Sequence, residues 1–149
     1  MQIQNQSKRV VAVHDLSGVG RVSLMAVIPI LSSMGFQVCA LPTAVLSTHT
    51  QYQSFTFLDL TSEMQRIIDQ WKKYDFRFDT FYTGYLGSPQ QIRIVEHFIS
   101  DFRRESDLVV VDPVLGDNGK LYKGFSAKWK IYYQYHRQTP NMNLKKLHQ

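Results

Sequence analysis

The stretch RVVAVHDLSGVG, residues 9–20, sets the expectation for the fold. Its first six residues are rich in valine and end in a polar residue, a pattern typical of a strand buried in a parallel sheet. Residues 21–34 then show helical apolar spacing. A small-residue turn between a buried strand and a helix lets backbone N–H groups approach a polar ligand, although many such turns only serve packing. The segment at 15–20 is not a dinucleotide-binding fingerprint, because Ser23 stands at the position of the third glycine, and it is not a P-loop.

The rest of the chain repeats this alternation of short apolar runs and amphipathic stretches. Further strands are predicted at 37–41, 80–83 and 107–112. A second helix is predicted to begin at Asp59 or Thr61 and to end at Lys73, and a third to begin at Ser88 with Pro89 in its first position. Such alternation indicates an α/β protein with a parallel sheet, whose ligands bind beyond the carboxyl ends of the strands.

Composition is compatible with one globular domain. The chain has 149 residues, of which 44% are hydrophobic and 19% charged. No apolar run is long enough to span a membrane, and residues 1–9 lack the apolar core of a signal peptide. The single cysteine, Cys39, rules out an intrachain disulfide and suits a reducing compartment. We therefore expect a cytoplasmic protein without a membrane segment.

The net charge of +5 comes from the last part of the chain. Residues 1–122 carry 11 of the 17 basic residues and all 12 acidic residues, whereas residues 123–149 carry basic residues and no acid. A basic, tyrosine-rich segment is one kind of nucleic-acid contact. We favour the other interpretation, in which this segment does not belong to the fold, and we do not expect a nucleic-acid partner.

Polar side chains follow each predicted strand, where they would meet at one edge of the sheet. The second of these loops combines hydroxyls and a histidine that can hydrogen-bond a heteroaromatic ring, and the last combines two carboxylates that can hold Mg²⁺ together with phosphates. Ordinary surface loops and turns have similar compositions. The candidate residues are Asp15, Ser17, Thr43, Ser47, His49, Tyr85, Asp112 and Asp117.

Three segments together resemble the pyridoxal/pyridoxamine kinases of the ribokinase-like fold. They are Thr43 to Tyr52, TGYLGS at 83–88 and DPVLGD at 112–117, within a match that covers residues 8 to about 126. The resemblance implies a three-layer α/β fold and ATP- and Mg²⁺-dependent phosphorylation of a B6 vitamer. The loop DLSG at 15–18 departs from this pattern and is closer to hydroxymethylpyrimidine kinases. That class of kinase is therefore the alternative, and Asp15 suits a ring nitrogen or amino group of either substrate.

The resemblance also implies roles for the candidate residues. Asp15, Ser17, Thr43, Ser47, His49 and Tyr85 would bind the substrate. Asp112, Asp117 and Tyr122 would bind nucleotide phosphates, the two aspartates through Mg²⁺. A homodimer like the family's is compatible with it.

The chain lacks part of the family's pattern. No G-x-G-D segment, which supplies the catalytic aspartate of the family, occurs in the 149 residues, and Leu144 stands where an acid should follow Thr139-Pro140-Asn141. We assign residues 1–127 to the N-terminal half of a kinase domain and 128–149 to a divergent basic tail, read out of frame or otherwise disrupted. We expect the chain to be inactive alone, as a truncated kinase or a non-catalytic ligand-binding fragment.

Overall fold

The computed structural model describes residues 7–112, 114, 116–117 and 120–121. Its centre is a five-stranded sheet with two layers of helix around it, and a separate two-stranded ribbon follows. The strands are β1 (Arg9–Ser17), β2 (Gln37–Leu46), β3 (Phe57–Asp59), β4 (Thr80–Thr83), β5 (Leu108–Val111), β6 (Gly116–Asp117) and β7 (Lys120–Leu121). The helices are α1 (Leu24–Ser33), α2 (Thr61–Lys73) and α3 (Pro89–Phe102).

The order of strands in the large sheet is β3-β2-β1-β4-β5. Strands β2, β1, β4 and β5 run parallel, as predicted, so their carboxyl ends share one edge. The sheet is mixed rather than parallel throughout, because the unpredicted strand β3 runs antiparallel to β2. The connection from β2 to β3 is too short for a crossover to a parallel neighbour, so the chain turns back along the strand it has just left.

Strands β1 and β2 extend beyond their predicted ends and carry an irregularity. Between the pairs His14–Pro42 and Leu16–Val45, the two residues Thr43 and Ala44 of β2 lie opposite the single residue Asp15 of β1. A bulge of this kind bends the strand and redirects side chains beside it. The candidate residues Asp15 and Thr43 therefore lie on paired strands rather than in loops.

The core lies between one face of the sheet and helices α2 and α3. Its centre is a set of aromatic rings, in which Phe78 contacts Phe98 with centroids 5.8 Å apart and Phe98 contacts Phe102 at 4.9 Å. Helix α1 packs against β1 and β2, and only Leu24 of this helix is fully buried. The three layers agree with the predicted α/β architecture.

Local sequence signals place the helix ends. Ser88 caps α3 by accepting a hydrogen bond from the Gln91 backbone N–H at 3.2 Å, and Pro89 is its first residue, as predicted. At α2, the Asp59 carboxylate accepts from the Thr61 backbone N–H at 2.7 Å. Helix α1 starts at Leu24 rather than at 21, after Ser23. Among the described residues, no helix has the length and apolarity required to cross a bilayer.

Candidate functional site

The candidate site lies where β1, β2, β4 and β5 end. The backbone N–H of Gly84, just after β4, donates to the Val13 carbonyl at 2.8 Å, and that of Gly18 donates to the Leu46 carbonyl at 2.8 Å. On the other side, the Asp112 N–H donates to the Thr83 carbonyl at 2.8 Å. These bonds continue the sheet past its regular strands and hold the four strand ends side by side.

Asp15 is a buried carboxylate with three donors around it. One oxygen, Oδ1, is 2.7 Å from His14 Nδ1 and accepts from the Ser23 hydroxyl at 2.7 Å, and the other accepts from the Ser17 hydroxyl at 3.3 Å. Burial alone raises the pKa of Asp15, but the hydrogen bonds from His14 and Ser23 outweigh it and leave this pKa below its ordinary value. Asp15 is therefore an anion at neutral pH.

Two of the residues around Asp15 were not predicted from the sequence. His14 is 7% exposed and its ring lies directly against Gly84, where a side-chain methyl group would overlap it. Ser23 precedes α1 with a φ of 53°, a conformation that is strained for a residue with a side chain. The sequence offers little indication of either residue. His14 is marked only by its position next to Asp15 at the end of a strand, and Ser23 reaches Asp15 only in the folded chain.

Thr43, on β2, and Tyr85, in the loop after β4, are joined by a hydrogen bond. The hydroxyl of Thr43, which is fully buried, donates to the Tyr85 carbonyl at 3.0 Å. Burial, followed by the negative charges of Asp15 and Asp59, raises the pKa of the Tyr85 phenol. The structure thus brings Thr43, Tyr85 and Asp15 together, while the Thr43 hydroxyl is engaged by the protein itself.

Gln91 organises this region, although the sequence marked it only as part of a helix start. It is fully buried, and its Nε2 donates to the Thr43 carbonyl at 2.9 Å and to the Thr61 hydroxyl at 3.0 Å. Its Oε1 accepts from the Gly87 backbone N–H at 2.7 Å. One side chain of α3 therefore connects β2, the start of α2 and the loop that carries Tyr85.

The second loop supplies Ser47 and His49. Ser47 is exposed, and its hydroxyl accepts from the Thr56 backbone N–H at 2.9 Å. His49 contacts Tyr52 edge to face with ring centroids 4.8 Å apart. It also lies against Gly20, which has a φ of 118° and no room for a side chain, since a Cβ there would be 2.7 Å from His49 Cδ2. His49 thus reaches the first loop, whereas Ser47 stabilises its own loop.

Asp112 lies at the same edge of the sheet, beside β4. Burial, followed by the negative charge of Asp112 and hydrogen bonding to it, raises the pKa of the Tyr82 phenol, so this carboxylate lies close to the phenol. The side chain of Asp117 and the whole of Tyr122 lie outside the described residues, as does the tail from 128 to 149. The predicted roles of Asp112, Asp117 and Tyr122 therefore stay predictions.

The described residues fit Mg²⁺ only as part of a larger ligand set. Within the described ranges, no group of three His, Cys, Asp or Glu side chains converges in a way that could hold a metal ion. Asp112 offers the oxygen ligand that Mg²⁺ prefers, and this ion commonly combines one or two carboxylates with water and substrate phosphates. Asp112 is thus suited to a metal that arrives with a nucleotide.

Solved structures share this fold over most of the chain. A protein from Bacteroides thetaiotaomicron described as a "putative phosphomethylpyrimidine kinase" is 61% identical, with a TM-score of 0.85 over 91% of this chain and 47% of its own. A second crystal form of that protein, which is 63% identical over 87% of this chain and 46% of its own with a TM-score of 0.84, contains pyridoxal.

Two pyridoxal kinases also share the fold, at lower sequence identity. That of Lactobacillus plantarum is 37% identical, with a TM-score of 0.76 over 84% of this chain and 44% of its own. That of Leishmania donovani, solved with ADP and pyridoxamine, is 25% identical, with a TM-score of 0.79 over 86% of this chain and 47% of its own. No family model matches the chain.

The fold and the polar edge of the sheet define a ribokinase-like α/β protein. Within that class, the similarity to pyridoxal kinases predicted from the motifs is confirmed. The chain spans less than half the length of each of these three proteins. What the structure describes is therefore one part of the fold that they share.

Proposed function

We propose that this chain forms the ring-binding part of a B6-vitamer kinase, an enzyme that transfers the γ-phosphate of ATP to the 5′-hydroxymethyl group of pyridoxal or pyridoxamine. The observation that carries the proposal is the buried, anionic Asp15 next to the half-buried phenol of Tyr85. A heteroaromatic ring with polar substituents suits such a site, because the tyrosine ring can stack on it while the polar groups orient it. The pyridoxal bound to the Bacteroides relative supports this ligand class.

In this proposal the predicted substrate-binding residues have different tasks. Tyr85 and His49 offer ring surfaces to the ligand. The hydroxyls of Ser17, Thr43 and Ser47 already hydrogen-bond within the protein, so these residues shape the site and hold its loops in place. Such fixed supports preorganise a binding site and reduce the entropy that the ligand must overcome.

Asp112 and Asp117 would hold Mg²⁺ next to the phosphates of ATP, with Tyr122 also at the phosphates. The metal would neutralise charge on the phosphates during transfer. The Tyr82 phenol lies close to the Asp112 carboxylate, which is the part of this predicted phosphate site that the structure describes. The ADP bound to the Leishmania enzyme supports ATP as the nucleotide.

Calorimetry of the full chain with pyridoxal, with and without ATP and Mg²⁺, tests this function. We expect pyridoxal binding without turnover, because the 149 residues contain no G-x-G-D segment to supply a base near the reacting hydroxyl. Asp15→Asn should weaken binding, whereas His97→Gln, an exposed position on α3, should leave binding unchanged. Absence of pyridoxal binding by folded protein would disprove the ring-binding role.

The alternative substrate is a hydroxymethylpyrimidine. It is favoured by the DLSG loop at 15–18 and by the description of the Bacteroides relative. Titrating the same protein with the pyrimidine decides between them, because tighter binding of the pyrimidine than of pyridoxal would assign the chain to that class.

A further inference from the structure

Three polar groups surround the Nδ1 atom of His14. Its Nδ1 is 2.7 Å from Asp15 Oδ1, whereas the backbone N–H groups of Asp15 and Tyr85 lie at 3.0 Å and 3.4 Å from the same atom. One nitrogen cannot both donate to a carboxylate and accept from two N–H groups. The 2.7 Å distance is that of a charge-assisted hydrogen bond, and the Asp15 N–H is close because it is the next residue in the chain. The 2.7 Å contact with the Asp15 carboxylate therefore favours a proton on Nδ1.

This tautomer leaves Nε2 of His14 as an acceptor. No hydrogen bond to Nε2 is formed among the residues that the structure describes, and the side chain keeps 9% of its surface exposed. The ring lies against Gly84, which begins the loop carrying Tyr85. Nε2 is thus a hydrogen-bond acceptor at the seam between the ends of β1 and β4, where the ligand ring is expected.

Asp15 is less suited to contact the ligand directly. Its carboxylate is already bonded by His14, Ser17 and Ser23, and the residue is 7% exposed. A carboxylate that accepts a hydrogen bond from histidine Nδ1 fixes the tautomer and the orientation of the imidazole ring. Carboxylates often orient a functional histidine in this way without touching the ligand. This arrangement reverses the roles that the sequence suggests for the two residues.

We propose that His14 contacts the ligand, with Nε2 accepting a hydrogen bond from an N–H or O–H group on the ring of the B6-type substrate, and that Asp15 is its positioning residue. The proposal rests on the function proposed above and adds a residue to it. A neutral acceptor at this place selects rings that carry a donor group there.

The tautomer can be measured without any ligand. Long-range ¹H–¹⁵N correlation spectra of the labelled full chain should show His14 with a protonated Nδ1 and an unprotonated Nε2. In Asp15→Asn this preference should be lost, giving a mixture of both tautomers. A His14 protonated at Nε2 in the wild-type chain would overturn the proposal.

Pyridoxal titrations then test the contact. His14→Leu should weaken binding about 10-fold, the effect of losing one hydrogen bond. His14→Gln, which keeps an acceptor near the position of Nε2, should recover much of the affinity, and His97→Leu is the matched control at an exposed histidine. The His14 Nε2 resonance should shift on addition of pyridoxal. Should His14→Leu fail to fold by circular dichroism, the wild-type chain still provides the test, because an Nε2 resonance of His14 that does not shift when pyridoxal binds would refute the contact.

The possible failures are distinguishable. If the wild-type chain binds pyridoxal and a folded His14→Leu binds it equally well, the contact is refuted and the proposed function stands. If the folded wild-type chain does not bind pyridoxal at all, both are refuted, whatever tautomer the spectra show.

Discussion

Replacing Gln91 by leucine tests whether this side chain stabilises the candidate site, beyond its place in helix α3. The side chain is fully buried and makes three hydrogen bonds, to the Thr43 carbonyl, the Thr61 hydroxyl and the Gly87 N–H. Leucine has a similar volume, so the change removes these bonds without creating a large cavity. The Thr43 carbonyl keeps one partner, the Leu60 N–H at 3.0 Å, whereas the Gly87 N–H loses its acceptor, the side-chain oxygen Oε1 of Gln91.

The expected cost follows from those three bonds. Each contributes about 0.5–1.5 kcal/mol net, and a donor left unpaired costs more, so we expect a loss of about 3 kcal/mol. At a slope of about 1.5 kcal/mol per molar of urea, the unfolding midpoint should fall by about 2 M. The neighbouring Gln90→Leu is the matched control, because Gln90 is exposed on the same helix turn and its replacement should change stability by no more than about 0.5 kcal/mol.

Urea unfolding followed by circular dichroism and by tryptophan fluorescence measures both variants, and coincidence of the two transitions supports the two-state treatment. Equal midpoints for Gln91→Leu and Gln90→Leu would refute the view that Gln91 holds the loops together. A selective loss in Gln91→Leu, together with weaker pyridoxal binding by the protein that remains folded, would support it.

Three further predictions concern the same edge of the sheet. Gly84→Ala places a methyl group on the His14 ring, so thermal unfolding should show a loss of about 1–3 kcal/mol, and wild-type stability would contradict the packing described. Because the pKa of Asp15 is lowered on folding, its contribution to stability is present above its unfolded pKa of about 4 and is lost as the pH falls through the folded value; acid titration of Asp15→Asn should therefore show a shallower decline than wild type. The raised pKa of Tyr82 predicts a phenol that titrates later than exposed tyrosines in ultraviolet absorbance, and Asp112→Asn should bring it closer to the ordinary value, whereas no change would argue against their hydrogen bond.

Local patterns were sufficient for most of the helix and strand assignments. Strand β4 was predicted with its observed bounds, and α3 begins at the predicted Ser88 cap because the hydroxyl, the proline and the glutamine act within a single turn. Strand β3 was missed because three exposed residues after a polar loop give no periodic signal, and its antiparallel direction depends on the length of the preceding connection.

The sequence by itself determined the architecture and the family resemblance, since buried strands, amphipathic helices and the motifs at 43–52, 83–88 and 112–117 are properties of neighbouring residues. Only the tertiary structure decided which polar residues hydrogen-bond one another at the site. Asp15 meets Ser23, Thr43 meets Tyr85, and Gln91 meets Thr43 through contacts between residues up to 48 positions apart. Such hydrogen bonds depend on the register of paired strands and on the bulge beside Asp15, which no local pattern encodes.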